Sequence, residues 1–282
     1  MEKIAVVTDT GSNLSFAQAK ELGIYLLPLQ ITIDETTYQD TLEISTQDIY
    51  NELANGKMPK TSMAAYQKIY DLFEELKKDY DTIFAVPLTN GLSTNASTMQ
   101  SIARELEMNV HVIDMYATCA LEKHVAIWIK KLVDEHKSSE EILKIIQPAI
   151  DESNSLILVK NLQHLKRGGR LTPMAVAGLL KIYPVLHINK STEGRIDVLN
   201  KVRTEKRADA YAIDKIMDDI DIQHTHIYII HSNFLEGANH FKKCFIEKGV
   251  PEQNIHIDYI SSVIAVHTGL GCIAIQYIRE EN

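Results

Sequence analysis

Short apolar runs alternate with amphipathic stretches along the first half of the chain. KIAVVT, residues 3–8, reads as a buried strand. Residues 15–22 read as a helix. IYLLPLQITID, residues 24–34, reads as strand again, with Pro28 barring an unbroken central strand. Ser45-Thr46-Gln47-Asp48 has the form of a capping box opening the helix DIYNELAN, and Gly56 stands near its end. In residues 61–80 the apolar positions Ile69, Leu72, Phe73 and Leu76 follow the 3-4 spacing of a helix face. TIFAVPL and NVHVIDM are further strands with a helix between them, and LEKHVAIWIKKLVDEH and SSEEILKIIQPAI are helical. This βαβα rhythm predicts a mostly parallel sheet flanked by helices.

The rhythm changes after Ser153. SLILVKNL, YPVLHINK, DVLNKVRT, HTHIYIIHSN and NIHIDYI all read as strands, and Thr192-Glu193-Gly194-Arg195 reads as a hairpin turn between the second and third. Helices are expected at TPMAVAGLLK, EKRADAYAIDKIMDDI and LEGANHFKKCFIEKG, the last stopped by Gly249 and Pro251. A hairpin among helices implies a mixed α/β second unit. The chain therefore reads as an α/β protein of two domains, residues 1–155 and 156–282.

Composition narrows the function. With 282 residues and 45% apolar content the chain can bury a large core. Its formal net charge of -9, with no block of basic residues, argues against a nucleic-acid partner. The start is apolar for too few residues to be a signal peptide, and no run reaches the ~18 apolar residues of a membrane span. Cys119, Cys244 and Cys272 are far apart, odd in number and outside any metal-ligand spacing. Free thiols in a reducing cytoplasm are expected, with no metal and no cofactor.

Five polar stretches carry the candidate chemistry. TDTGSNL, residues 8–14, follows the first strand, where ligands of open α/β sheets sit; Asp9, Thr10 and Ser12 could line such a crevice or simply cap a turn. Pro59-Lys60-Thr61-Ser62 precedes a helix expected near Met63, and capping uses only one of its two hydroxyls. In Thr89-Asn90-Gly91-Leu92-Ser93-Thr94, Gly91 permits a tight turn and Ser93 stands before a helix N-terminus, a place that favours an anion. Ser93 is a poor candidate nucleophile, because GLSTN lacks the second glycine of a nucleophile elbow. HTGLG, residues 267–271, has two glycines that admit a ligand close to the backbone, and His267 can donate or accept a hydrogen bond. LKRGGRLTP, residues 165–173, reads as a Gly-Gly turn carrying Lys166, Arg167 and Arg170, with Thr172 and Pro173 opening a helix. It is either a solvated loop or a recognition surface that Arg203 and Arg207 extend.

Taken in order, these five stretches resemble the DegV family of fatty-acid-binding proteins over essentially the whole chain. The resemblance implies two α/β domains with a lipid between them. The fatty acid tail would lie in an apolar tunnel, and its carboxylate would meet Thr61, Ser93 and His267. Ser62, Arg170, Thr94, Gly91 and Asp9 would support them. It further implies a non-catalytic role: the lipid-presenting subunit of a bacterial fatty acid kinase, whose separate ATP-binding subunit phosphorylates the bound carboxylate for phospholipid synthesis. Lys166, Arg167, Arg203 and Arg207 are then candidates for the kinase interface, with room for transient contact with a membrane surface. The chain departs from the family pattern at Thr94 and Ala96, at Met115 and the MYATCALE segment, and at Ala265 and Leu270. Two rival functions are a binding module for another anionic small molecule, and a serine acyl-ester hydrolase using Ser93 and His267.

Overall fold

Hydrophobic periodicity at the two sheets decides the architecture of this computed structural model, which describes residues 2–172 and 182–280. The first sheet has the order β2-β1-β6-β7. It comprises β1 (Ile4–Asp9), β2 (Tyr25–Leu27), β6 (Thr82–Val86) and β7 (Asn109–Val112), all parallel. Every residue of β1 and β6 is buried, as expected of strands covered on both faces. Alternate side chains divide between two cores: Ile4, Val6 and Phe84 face one, and Ala5, Val7 and Ile83 the other. The first core is closed by α5 (Ala120–Asp134) and α6 (Ser139–Glu152). The second is closed by α3 (Tyr66–Leu76) and α4 (Asn95–Glu105).

Pro28 ends the pairing of one strand and starts another. Beyond it, β3 (Gln30–Ile33) leaves the parallel sheet and pairs antiparallel with β4 (Thr36–Gln39) and β5 (Lys60–Ser62). Lys60, Thr61 and Ser62 are therefore strand residues and not helix caps. The following helix starts only at Tyr66, with Ala65 at its N-cap and no side-chain cap bond. The helices α1 (Phe16–Leu22) and α2 (Thr46–Ala54) do open with capping boxes, from Ser15 with Gln18 and from Ser45 with Asp48.

The second half of the chain forms a six-stranded sheet of order β10-β9-β8-β13-β11-β12. Its strands are β8 (Asn154–Leu158), β9 (Tyr183–Ile188), β10 (Asp197–Val202), β11 (Thr225–His231), β12 (Ile255–Tyr259) and β13 (Ile273–Arg279). Only β11 and β12 pair in parallel; the rest are antiparallel. The expected hairpin joins β9 to β10 and turns at Glu193 and Gly194, both with positive φ. The central strand β13 was not among the predicted elements. One face of this sheet is covered by α8 (Glu205–Asp219) and α9 (Leu235–Glu247). The short helices α7 (Leu162–Gly168) and α10 (Ser262–Thr268) lie toward the first half, with Leu165, Val263 and Val266 in the core shared by both halves. The helix expected after Thr172, including the role of Pro173, falls on residues 173–181, outside the described residues; Thr172 itself donates its hydroxyl to Asp197 Oδ1 at 2.6 Å. Among the described residues, no helix is long and apolar enough to cross a membrane.

Polar bonds stitch the seam between the halves. Buried Tyr50 on α2 donates its hydroxyl proton to Ile260 O at 2.6 Å, with His231 O at 3.3 Å. Gln276 on β13 accepts from Ala120 N at 3.0 Å and donates to Thr118 O at 2.9 Å. Removing the Tyr50 hydroxyl leaves buried carbonyl groups without their donor, so Tyr50→Phe should lower stability by about 1–3 kcal/mol. Urea unfolding reads this directly. An unchanged midpoint would show that the bond contributes nothing at the seam.

Candidate functional site

A cavity of about 410 Å³ opens at the seam. The small β3-β4-β5 sheet supplies one wall. Strand alternation at β5 turns Thr61 inward, while exposed Ser62 bonds Gln30 Oε1 at 3.1 Å at the rim. Leu29 and Met63 add apolar surface there. The half-buried Thr61 places its Oγ1 2.7 Å from Nε2 of His267, 206 residues away.

His267 belongs to the last turn of α10 and not to a loop, as its glycine-rich neighbourhood had implied. A Cβ placed on Gly168 would lie 2.5 Å from His267 Nδ1, so the end of α7 packs its bare backbone against the ring. Burial drives the His267 pKa down to about 3, and the nearby Arg170 and His164 push it the same way. The ring is neutral throughout the physiological range.

The loop between β6 and α4 forms the opposite lip. Leu92 N and Ser93 N both donate to Thr89 O, at 3.0 and 3.1 Å, and Ser93 Oγ accepts from Asn95 N at 3.2 Å. Thr94 is the N-cap residue of α4 but makes no side-chain cap; its hydroxyl points to Met63 Sδ at 3.4 Å. The loop is pressed against the β9–β10 hairpin. A Cβ on Gly91 would fall 2.1 Å from backbone atoms of Gly194, and one on Gly194 would fall 2.0 Å from Thr89 Oγ1. Only glycine fits either position.

Arg170 closes the remaining side. Its Nε donates to Leu92 O at 3.3 Å and its Nη1 to Gly168 O. Partial burial lowers its pKa. Ile196, Val263 and Ile264 complete the apolar wall.

Of the residues singled out from sequence, Thr61, Ser62, Gly91, Ser93, Thr94, Arg170 and His267 all line this one cavity. Asp9 does not. It is fully buried, as are Thr10 and Ser12, and its carboxylate instead accepts from Leu88 N at 2.9 Å and Asn95 Nδ2 at 2.7 Å, bracketing the Ser93 loop. Lys166 and Arg167 sit in the last turn of α7, not on a Gly-Gly turn, and are exposed. Arg203 precedes α8 and Arg207 lies in its first turn, both exposed and off the cavity. Among the departures from the family pattern, Ala96, Met115 and Ala265 are 0% exposed and off the cavity, and half-buried Leu270 packs on the shared core. Only Thr94 reaches the cavity. Sequence reasoning missed Asn90 at the lip and the apolar lining, whose residues carry no signal distinguishing them from core.

The geometry therefore offers hydroxyl, imidazole and guanidinium groups at one end of an apolar-walled cavity. Known proteins share the whole arrangement of the chain. The family model described as "Uncharacterised protein, DegV family" matches residues 3–280. The DegV domain-containing protein BH3627 of Halalkalibacterium halodurans is 31% identical, with 100% of both chains covered. Among solved structures, the fatty acid binding DegV family protein SAG1342 from Streptococcus agalactiae superposes with a TM-score of 0.91 at 29% identity, covering 100% of both chains. DegV, a fatty acid binding protein from Bacillus subtilis, superposes with a TM-score of 0.87 at 26% identity, covering 99% of this chain and 100% of its own. With a family model spanning nearly its full length and relatives that match it end to end, the chain belongs to the DegV family.

Proposed function

We propose that this protein binds a long-chain fatty acid between two α/β units divided near residue 155, and presents its carboxylate to a separate ATP-dependent kinase subunit. The observation that carries the reading is the meeting of Thr61, Ser93 and His267 at one cavity, with the Thr61–His267 hydrogen bond already formed across the seam. The fatty acid binding ascribed to the Streptococcus agalactiae and Bacillus subtilis proteins supports it.

The chemistry suits a carboxylate that must stay reactive. An anion leaving water needs donors, or its burial is costly. Thr61 and Ser93 supply hydroxyls, and neutral His267, donating its one N–H from Nε2 to Thr61 Oγ1, leaves the Thr61 proton for the carboxylate. None of the three is a cation, so the carboxylate oxygen is held without a bidentate ion pair and can still attack a phosphoryl group. Arg170, tied to the Ser93 loop through Leu92 O, supplies a positive charge at the lip, where the acyl phosphate would gain negative charge. The tail takes the apolar wall. At about 0.8 kcal/mol per CH₂, a ~16-carbon chain gains on the order of 10 kcal/mol before the cost of association. Lys166, Arg167, Arg203 and Arg207, all exposed, are the residues this reading assigns to contact with the kinase subunit.

The hydrolase reading loses support from the same atoms. Ser93 Oγ is engaged by Asn95 N–H and His267 Nε2 by Thr61, and among the described residues no hydrogen bond links Ser93 to His267. For the remaining rival, the apolar wall of Leu29, Leu88, Leu92, Ile196, Val263 and Ile264 favours a lipid tail over a polar anion.

Three measurements check this reading. In delipidated protein, Thr61→Ala combined with Ser93→Ala should weaken palmitic acid binding by on the order of 100-fold, since each hydrogen bond to a charged group is worth about 1.5–3 kcal/mol. Unchanged affinity would remove the carboxylate from this end of the cavity. Proton-detected NMR of His267 should show a neutral ring from pH 8 down to about pH 4, titrating only near the value of about 3 that burial imposes. Titration near the ordinary histidine pKa of about 6.5 would contradict the neutral-donor role. Arg203→Ala should slow phosphorylation of the bound acid by the kinase subunit while leaving lipid content intact. Loss of lipid in that variant would refute its placement at the partner surface.

A further inference from the structure

Behind the cavity wall lie three buried carboxyl groups, Asp9, Asp40 and Glu122, each 0% exposed. Among the described residues, no lysine or arginine forms an ion pair with any of them. The hydrogen-bond inventory assigns their protons. Asp9 has three donors: Gly11 N at 2.8 Å on Oδ1, and Leu88 N at 2.9 Å and Asn95 Nδ2 at 2.7 Å on Oδ2. Burial raises the Asp9 pKa, and these three donors work against that by favouring its charged form, so of the two neighbouring acids Asp9 is the one better held as an anion. Glu122 has no comparable set. The hydroxyl beside its Oε1 is Thr8 Oγ1 at 3.2 Å, but that hydroxyl already gives its single proton to Val86 O at 2.7 Å. Glu122 Oε2 finds no donor at all. A carboxylate with no donor, shut away from water, holds its proton.

The two groups converge. A Cβ placed on Gly11 would lie 2.7 Å from Asp9 Oδ1 and 3.1 Å from Glu122 Oε2, so both carboxyls close on the same small space. Burial and the negative Asp9 raise the Glu122 pKa well above its ordinary value. Asp40 extends the group toward the other arm of the site. It takes the hydroxyl proton of Ser262, the first residue of the helix that carries His267, and its backbone N–H donates to Leu29 O at 2.8 Å in the cavity wall. Burial pushes the Asp40 pKa up to about 6. Thr10 follows Asp9 in the chain and stands near Asp40: its hydroxyl oxygen accepts from Leu29 N at 3.1 Å, and its hydroxyl favours the charged form of Asp40.

We propose that protonated Glu122 is a positioning residue: it donates to ionised Asp9, and this buried acid network, continued through Thr10 and Asp40, fixes both the Ser93 loop and the His267 helix. The role in carboxylate binding rests on the fatty acid reading above; the network's hold on the loop does not. Asp9 brackets residues 88–95 from both ends, and Ser93 Oγ is bonded to the backbone of Asn95. Loss of the Glu122 proton sets a second negative charge against Asp9 in a space without a cation, and loosens the loop Asp9 holds. The titratable groups facing the pair are each other, Asp40 and the buried Cys119 thiol, whose own pKa burial raises.

Hydrogen exchange of the ligand-free protein across residues 86–96 tests this, corrected for intrinsic rates and run from about pH 6 to about pH 9.5. Wild-type protection should fall about tenfold or more toward the alkaline end, as the shared proton is lost. Glu122→Gln keeps a donor to Asp9 without the Glu122 proton, so its protection should lose the alkaline fall, and any change near pH 6, where Asp40 titrates, should be common to both proteins. Matching pH profiles for wild type and Glu122→Gln, or a loop unprotected in Glu122→Gln at every pH, would overturn the proposal. Palmitic acid affinity in the same proteins should follow the loop, falling with pH in wild type only. A wild-type protein that shows the pH-dependent loop but no affinity for palmitic acid would refute the fatty acid reading and leave the network standing.

Discussion

Close approach of backbone across the seam between the two sheets is the constraint on which the cavity depends. Gly91 lies against Gly194 across that seam, and within the second half Gly168 lies against the ring of His267, at distances no side chain could share. These contacts hold the Ser93 loop to the β9–β10 hairpin and hold His267 in reach of Thr61. The halves contribute alternating pieces of one wall. Neither the hydroxyls of the first half nor the imidazole of the second makes a binding site alone.

The polar chemistry around the cavity is unusual in its economy of positive charge. A buried anion is most simply held by an arginine fork. Among the described residues the donors here are hydroxyls, backbone N–H groups and a histidine that burial keeps neutral, and Arg170 is tied back to the loop it borders. The same preference runs deeper, where Asp9 is satisfied by two backbone N–H groups and one amide. Dipoles hold charge in place without the long side chains whose ordering costs entropy. That restraint suits the role proposed above, in which a bound carboxylate is gripped and still reacts.

Much of this was legible in the sequence. The first parallel sheet showed in KIAVVT and TIFAVPL because strands buried on both faces are apolar throughout. Ser15 and Ser45 announced their helices through capping boxes. Seven of the residues picked out for chemistry line one cavity, among them Thr61, Ser93 and His267; capping alone could account for the separate hydroxyl stretches, and it was the family resemblance that brought them to one site. What failed did so for physical reasons. Thr61 and Ser62 looked like caps because local propensity does not register that β3 captures them as a partner strand. The last turn of α10 looked like loop because Gly269 and Gly271 dominate its neighbourhood, although Ser262 to Thr268 form a helix packed on the shared core. Asp9 looked like a ligand group because its position after β1 is the right one. Its neighbours Leu88 and Asn95, some eighty residues away, turn it into a brace. Glu122 gave no signal at all, since one acid in an amphipathic helix reads as a solvated face.

The central claim is that the seam cavity holds a fatty acid. Protein purified from a bacterial host and extracted with organic solvent should yield, by mass spectrometry, a near-stoichiometric fatty acid with an apolar tail long enough to fill the wall from Leu29 to Ile264. An empty extract from folded protein that also fails to take up added palmitic acid would contradict the account, and would move the function to a polar ligand at the same lip.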